Sequence, residues 1–574
     1  MATKQYRTPG VYIQEPNSFP PSIVGVETAL PCFIGFTEKA IDSDGRSLNL
    51  IPKRIESMAE FAQYFGQGFP ERYYLVAGEA TENARKGVPT TDQIWGKISL
   101  GGETGYTLVE AGEASFNLYN SMRLFYANGG GSSYVISCDT YEAPAGITKK
   151  AIIDGLEVCE TFIGPTMVVI PDAVLLEKGD YDAVVLEMLK TCAAAQDRMA
   201  IIDIHGAEKL KPRDDWKKVI EDFRTNLHKA NPEEWRYGAA YFPPLVTSIV
   251  SADEIDITNF DPDPAKIATL KAALTEIVKA VYPPDPQATV SPPVPPSVPP
   301  APSVPPEPAQ PVVVAGTNVK GSAILTTYVE KIGHSRENDT LFKLAAPGAA
   351  PQELTHKQLT QALVAMVPGF KQLLAAVAAT QGVLPPSGAM AGVWTANDTL
   401  RGVWNAPANT GVATMIRPLV DINHKDQEDL NVPVNSMAVN AIRTFQGRGS
   451  LIWGARTLDS NSNDWRYIQV RRTMIYVEQS VKQALEAMVF RPNTAQTWVT
   501  VVAMIESFLH GLWASGGLMG GSAEEAYNVQ AGLGSTMTPQ DVLEGIMRVH
   551  ITLQMVHPAE FIELTFKQQM LGGA

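Results

Sequence analysis

Apolar and polar positions follow two rhythms along this chain. Between residues 134 and 204, an apolar run at Tyr134 to Ser137 gives way to a helical pattern ending near Phe162. A second run, Thr166 to Ile170, stops at Pro171-Asp172, and a helical stretch from Tyr181 to Ala195 leads into a third run, Met199 to Ile204. Short apolar runs separated by helical patterns predict βαβ units and a largely parallel sheet.

The second rhythm is helical and lies near the end. In Arg472 to Val489, the positions Met474, Val477, Val481, Leu485 and Met488 recur at three- and four-residue steps, opposite Glu478, Lys482 and Glu486. This predicts an amphipathic helix with one buried stripe. A helix from Ala495 to Trp513 follows and stops at Gly516-Gly517, and its broad apolar face predicts thorough burial. Thr538-Pro539 supplies an N-cap and a first-turn proline for a helix to about Arg548. Val549, Ile551, Leu553 and Met555 then alternate with polar residues, Pro558 breaks the run, and Ile562, Leu564 and Phe566 alternate again, which predicts a terminal β-pair with an open edge. Gln352 to Met366 reads as a helix and Pro385 to Pro407 as a loop-rich stretch. At the other terminus, Gly10 to Glu15 reads as a short strand bracketed by prolines. A lone strand leaves its backbone groups unpaired and needs a partner.

The two rhythms are separated by Pro283 to Pro311, where 14 of 29 residues are proline. No helix or central strand survives that density, so the tract is expected to be an extended surface linker or loop, with docking to an aromatic groove as the alternative. At 574 residues the chain calls for two to four domains. Its 45% hydrophobic and 19% charged residues are those of a folded protein. The net charge of −15 argues against a nucleic-acid partner, because phosphate binding needs clustered Lys and Arg. No secretory signal and no run of about 18 apolar residues is present, so the expectation is cytoplasmic synthesis without direct membrane insertion. Cys32, Cys138, Cys159 and Cys192 are widely spaced and read as buried free thiols.

Candidate chemistry is sparse. The eight histidines form no H-x-x-x-H pair, and neither a G-x-x-x-x-G-K-[ST] nor a G-x-S-x-G motif occurs. Asp172, His205 and Ser436 follow the Asp, His, Ser order of subtilisin-type proteases, but Val434-Asn435 stands where the nucleophile turn needs Gly-Thr. Gly129-Gly130-Gly131-Ser132 lacks a following lysine and helix, and reads as a tight turn. No catalytic, cofactor-binding or metal-ligating residue is assigned, and the chain is expected not to be an enzyme. Ala441 to Arg491 carries eight basic residues against four acidic ones, +4 in a chain whose remainder is −19. A basic patch in an acidic chain suggests a partner, with a solvated helix face as the alternative.

Several motifs, taken in order, resemble one family. They are Tyr6-x-x-Pro9-Gly10-Val11-Tyr12-Ile13-x-Glu15; Phe33-Ile34-Gly35; Ala127-Asn128-Gly129-Gly130 ahead of Tyr134-Val135-Ile136; Ile170-Pro171-Asp172; and Asp197 to Asp203. Further along come Arg401-Gly402-Val403-Trp404-x-Ala406-Pro407-Ala408-Asn409, Gly454-Ala455-Arg456-Thr457-Leu458, Arg471-Arg472, Phe490-x-Pro492-Asn493 and Pro558-Ala559-Glu560-Phe561-Ile562. This order resembles the contractile tail sheath family of myophages, R-type pyocins and extracellular contractile injection systems. The likeness is thin only between about residues 40 and 115 and between 205 and 385.

The resemblance implies an α/β chain with an α+β core, in which both chain ends build a sheath core around a central domain of subtilisin-like fold without protease activity. On that basis residues 1–36 form an N-terminal arm and part of the core, and 37–115 a variable outer insertion. Residues 116–384 form the central domain, with outer insertions that include the proline-rich loop 283–311, and 385–574 form the C-terminal core with a terminal arm. The implied function is that of a structural subunit that polymerises around an inner tube and contracts from a metastable extended state, as part of a phage tail or injection particle. The implied partners are further copies of the chain, the tube protein, and baseplate and terminal cap proteins. The strand Val11, Tyr12, Ile13, Gln14, Glu15 and the terminal strand Phe561, Ile562, Glu563, Leu564, Thr565, Phe566 are expected to complete the sheets of neighbouring copies. Arg471, Arg472 and Lys482 are expected to help face an acidic tube. A different self-assembling lattice or shell protein, and a subtilisin-like hydrolase, are the alternatives.

Overall fold

The computed structural model describes residues 23–78, 92–100, 105–112, 115–142, 146–211, 215–282, 325–326, 328–332, 342–344 and 352–565. The predicted strand Val11 to Glu15, the proline tract and Phe566 lie outside these residues.

The apolar runs form one eight-stranded sheet. Its order is Gly449–Ile452, Val439–Phe445, Gly238–Phe242, Met199–Ile202, Met167–Val169, Pro31–Thr37, Ser133–Thr140 and Lys53–Ile55. The six inner strands are parallel, and the two edge strands run antiparallel to their neighbours. All seven residues of Pro31–Thr37 are buried, as a parallel strand covered on both faces requires. The helices Lys149–Thr161 and Lys178–Ala195 are the crossovers expected from the sequence rhythm. All four cysteines are buried free thiols.

The sheet draws on distant parts of the chain, because a parallel strand needs a crossover and not a sequence neighbour. Pro31–Thr37 and Val439–Phe445 share it with residues 133–242, so the expected boundaries at 36/37 and 384/385 do not coincide with the limits of this sheet. A second, separate core gathers the antiparallel strands Tyr73–Ala77, Gly105–Glu110 and Gln93–Ser99 with the helices Pro264–Val281, His356–Met366 and Phe370–Gln381. These segments come from the two stretches where the family likeness is thin.

The loop expected over 385–407 is instead mostly a helix, Ser387–Arg401, with every residue from Ser387 to Thr395 buried. Its glycines suggest a loop, but here they allow close packing. A Cβ on Gly388 would meet the Ser121 carbonyl oxygen at 2.5 Å, and one on Gly392 would meet that of Phe125 at 2.5 Å, both on the helix Leu118–Ala127. A helix buried all round shows no amphipathic stripe, so periodicity cannot reveal it.

The third core is C-terminal. Ile468–Glu486 and Ala495–Ala514 form a helical hairpin, and the antiparallel strands Tyr527–Gln530 and His550–Leu553 pack against it. The expected burial of the second helix is only partly met: Val501, Met504, Ile505, Leu509 and Leu512 are buried, whereas Val499 is 69% exposed. This helix is long and apolar enough to cross a membrane, yet its buried stripe packs on Val477 and Val481. The helix predicted to reach about Arg548 stops at Leu543, with Thr538 and Asp541 in a reciprocal capping box. The terminal β-pair is also different, since His550–Leu553 pairs with Tyr527–Gln530 and residues 561–565 form no strand. Alternation shows that a segment can be a strand, but not which segment it pairs with.

Replacing Gly392 by Ala is expected to destabilise the chain by about 1–3 kcal/mol, because the added methyl collides with backbone. Urea unfolding checks this, and a change within about 0.5 kcal/mol would mean that the two helices can move apart freely.

Candidate assembly interface

The residues with the Asp, His, Ser order are not assembled as a triad. Asp172 Oδ1 accepts from the backbone N–H of Asn117 (2.6 Å) and Leu118 (3.1 Å) at the start of the helix Leu118–Ala127, and Oδ2 accepts from Phe36 N–H (2.9 Å). Burial raises its pKa to about 6, while these three bonds hold it down. His205 Nε2 donates to the Leu176 carbonyl (3.0 Å), and Ser436 Oγ donates to the Leu458 carbonyl (3.0 Å). Ser436 and Met437 both have left-handed backbone, φ 66° and 67°, in the turn that leads into Val439–Phe445. The three side chains therefore fasten three separate parts of the central domain.

Two members of the basic patch, Arg471 and Arg472, are buried within the chain, which corrects the expectation for them. Arg472 is buried: its guanidinium donates to Asp398 Oδ1 (2.8 Å) and Oδ2 (2.6 Å) and to the Thr28 carbonyl (3.0 Å), and lies 4.7 Å from the Trp394 ring. Arg471 is buried as well, stacked between Tyr237 (4.7 Å) and Trp465 (4.8 Å) and paired with Glu478 at 2.9 Å. Within this chain, neither guanidinium presents its charge as a free surface cation. An arginine written on an amphipathic helix looks solvated in sequence when its partners are remote, as Asp398 and Trp394 are from Arg472 and Tyr237 from Arg471. Lys482 is exposed, at the edge of a cavity of about 550 Å³ that also borders Gly25, Glu27 and Tyr476.

The N-terminal end of the described chain packs on the helix Ile468–Glu486, and the C-terminal end is tied to residues around the start of that helix. From the N-terminal side, Ile23 joins the hairpin core, Gly25 packs on Tyr476, and Val26 N–H donates to Ser480 Oγ (3.1 Å). From the C-terminal side, Glu560 accepts from Arg456 Nη2 (2.6 Å) and Nε (3.0 Å), from Tyr467 Oη (2.9 Å) and from Asn431 Nδ2 (2.6 Å). Burial alone would raise the pKa of Glu560, but these donors outweigh it and hold the carboxyl below its ordinary value.

Among the described residues, 561–565 make no such hydrogen bonds. Phe561, Ile562 and Leu564 are 73%, 77% and 72% exposed, and Glu563 and Thr565 are exposed too. Among the described residues, the pair Tyr527–Gln530 and His550–Leu553 has no third strand beside it. A two-stranded sheet and an apolar segment outside any ladder are unusual in an isolated domain, since each leaves hydrogen-bonding capacity or apolar area unpartnered. Glu560 is the residue that sequence reasoning missed. It stood within the Pro558-Ala559-Glu560-Phe561-Ile562 motif, but nothing local to it predicts an ion pair with Arg456.

Comparison with known proteins gives this arrangement a context. Residues 460–569 match the model of the phage tail sheath C-terminal domain. The whole chain is similar in structure to the contracted sheath complex of the extracellular contractile injection system PVC, with 22% identity, a TM-score of 0.51, and 99% of each chain covered. It is likewise similar to the contracted helical sheath of the anti-feeding prophage (21% identity, TM-score 0.51, 98% of this chain and 100% of that one). A chain of the contracted anti-feeding prophage baseplate also matches (19% identity, TM-score 0.55, 98% and 99% covered). A comparison with curated protein sequences finds no match. The fold is thus that of a contractile sheath protein. Its C-terminal part is similar to the phage tail sheath C-terminal domain.

Truncating Arg472 to Ala leaves Asp398 buried without its partner and is expected to cost about 3–5 kcal/mol in urea unfolding. Arg472→Lys should recover little of this, because it cannot span both carboxylate oxygens and the Thr28 carbonyl. A loss under about 1 kcal/mol for Arg472→Ala would place the pair among weak surface contacts.

Proposed function

We propose that this chain is the structural subunit of a contractile sheath, polymerising around an inner tube and driving it forward by relaxing from a metastable extended state to a tighter one. The observation that carries this reading is the pairing of unfinished features in the C-terminal core: a two-stranded sheet with no third strand among the described residues, and an exposed apolar arm, Phe561 to Thr565, beside it in sequence.

The arm of one copy, together with a strand at Val11 to Glu15 from another, would extend the sheet Tyr527–Gln530/His550–Leu553 by β-augmentation. Main-chain hydrogen bonds then link the copies, while side-chain contacts elsewhere are free to change as subunits slide and rotate. Work comes from the free-energy difference between two packings of the same chains, so the stroke needs no nucleotide site. The fold shared with sheath polymers and with a baseplate chain supports self-assembly and association with a baseplate; the inner tube, a terminal cap and assembly in the cytoplasm belong to the same proposal.

The tube-facing role is narrower than the sequence suggested. Lys482 is available for screened, individually weak ion pairs that can release on firing, whereas Arg471 and Arg472 are committed internally. The sheath reading is preferred to the hydrolase alternative because Ser436 bonds to the Leu458 carbonyl and His205 to that of Leu176, so the two are not paired here.

Negative-stain electron microscopy of the purified chain, alone and co-expressed with its tube protein, is expected to show hollow striated cylinders. Flat lattices would favour a different shell protein, and monomers under both conditions would remove the sheath reading.

A further inference from the structure

We infer that Glu560 is a positioning residue that roots the C-terminal arm on the central domain, so that the arm leaves each copy in one fixed direction toward a second copy of this chain. This rests on the reading that residues after 560 serve a neighbour.

The route of the chain carries the inference. Next to His550–Leu553, Gln554 N–H donates to the Ala526 carbonyl and Met555 bridges to Leu518, so up to this point the backbone belongs to the C-terminal sheet. It then crosses to a different part of the molecule. His557 lies edge-on to Tyr467 at 5.7 Å, and the Glu560 carboxylate reaches Arg456, Tyr467 and Asn431. Arg456 is itself locked into the central domain, because its backbone N–H donates to Asn440 Oδ1 (2.7 Å) and its carbonyl accepts from Asn440 Nδ2 (2.8 Å) beside the large sheet. Asn431 ends the helix His424–Asn431, and Tyr467 caps Ile468–Glu486. One carboxylate thus takes charge-assisted and neutral hydrogen bonds from three elements that the fold holds rigid.

The surroundings leave little else to do this. Pro558 to Phe561 borders a cavity of about 810 Å³ that also touches Ala408, Val432 and Trp453, so packing under the arm is incomplete. Immediately past the latch, Phe561 and Ile562 are more than 70% exposed. A segment clamped at one residue and exposed from the next takes its exit direction from that residue. Neutralising Glu560 removes the ion pair while leaving the body of the chain in place.

The test combines direction with assembly. Spin labels at Leu564→Cys and Thr444→Cys, two exposed positions, report the arm against the large sheet, and the four native thiols are buried. With Glu560 intact, the label pair gives one narrow distance distribution. Glu560→Gln is expected to broaden it and to raise the critical concentration for tube assembly about tenfold, equivalent to about 1.4 kcal/mol, with thermal unfolding of the body within about 3 °C. A narrow, unchanged distribution in Glu560→Gln would overturn the latch. Deleting residues 561–574 separates the two readings. If that deletion stops assembly while Glu560→Gln assembles as before, the latch fails and the arm stands; if the deletion assembles normally, the arm reading fails, and the latch to a neighbour with it.

Discussion

The buried pair between Arg472 and Asp398 is the junction on which the rest of this structure depends. Arg472 belongs to the C-terminal hairpin, Asp398 to the helix Ser387–Arg401 that lies against the large sheet, and the Thr28 carbonyl, its third acceptor, to the N-terminal segment. The Trp394 ring beneath the guanidinium donates through Nε1 to Tyr241 Oη at 2.9 Å, and Tyr241 sits in the inner strand Gly238–Phe242. A single line of contacts therefore runs from the middle of the sheet to both terminal regions. Charges taken out of water are costly unless every partner is present, so this pair penalises any arrangement in which the three parts separate. In the proposed sheath subunit, which would move as a body while its arms hold neighbours, that cooperativity would be the useful property.

The same principle applies to other buried groups of the chain: Asp172 caps one helix and pins one strand, Arg471 lies between two rings, and Arg456 is held by Asn440 and Glu560. Among the described residues, the two-stranded sheet and residues 561–565 leave backbone and apolar surface unpartnered. Under the proposed function a strand from another copy would satisfy these groups without a specific side-chain match, and such bonds would survive changes in the packing angle between copies better than a side-chain interlock.

The sequence made the parallel sheet legible, because fully buried strands such as Met199–Ile202 and Met167–Val169 are short apolar runs between helical patterns. It also carried the family likeness, which the match over residues 460–569 and the shared fold support. It could not show the helix Ser387–Arg401, whose glycines and all-round burial erase the periodic signal, nor the partner of His550–Leu553, since pairing is a long-range choice. The site was legible in part. The Pro558 to Ile562 motif stood out in the sequence, whereas Arg471 and Arg472 were misread as surface charge because Trp394, Asp398 and Tyr237 are remote in sequence. Glu560 went unassigned for the same reason.

The central claim is that the C-terminal sheet is completed by strands from other copies. A helical reconstruction of assembled tubes by electron cryomicroscopy tests it most directly. The account predicts additional strands at the ladder spacing of about 4.8 Å beside Tyr527–Gln530 and His550–Leu553, one of them traceable past Glu560 of a different copy. A reconstruction in which those two strands keep free edges and residues 561–565 fold back onto their own subunit would contradict it.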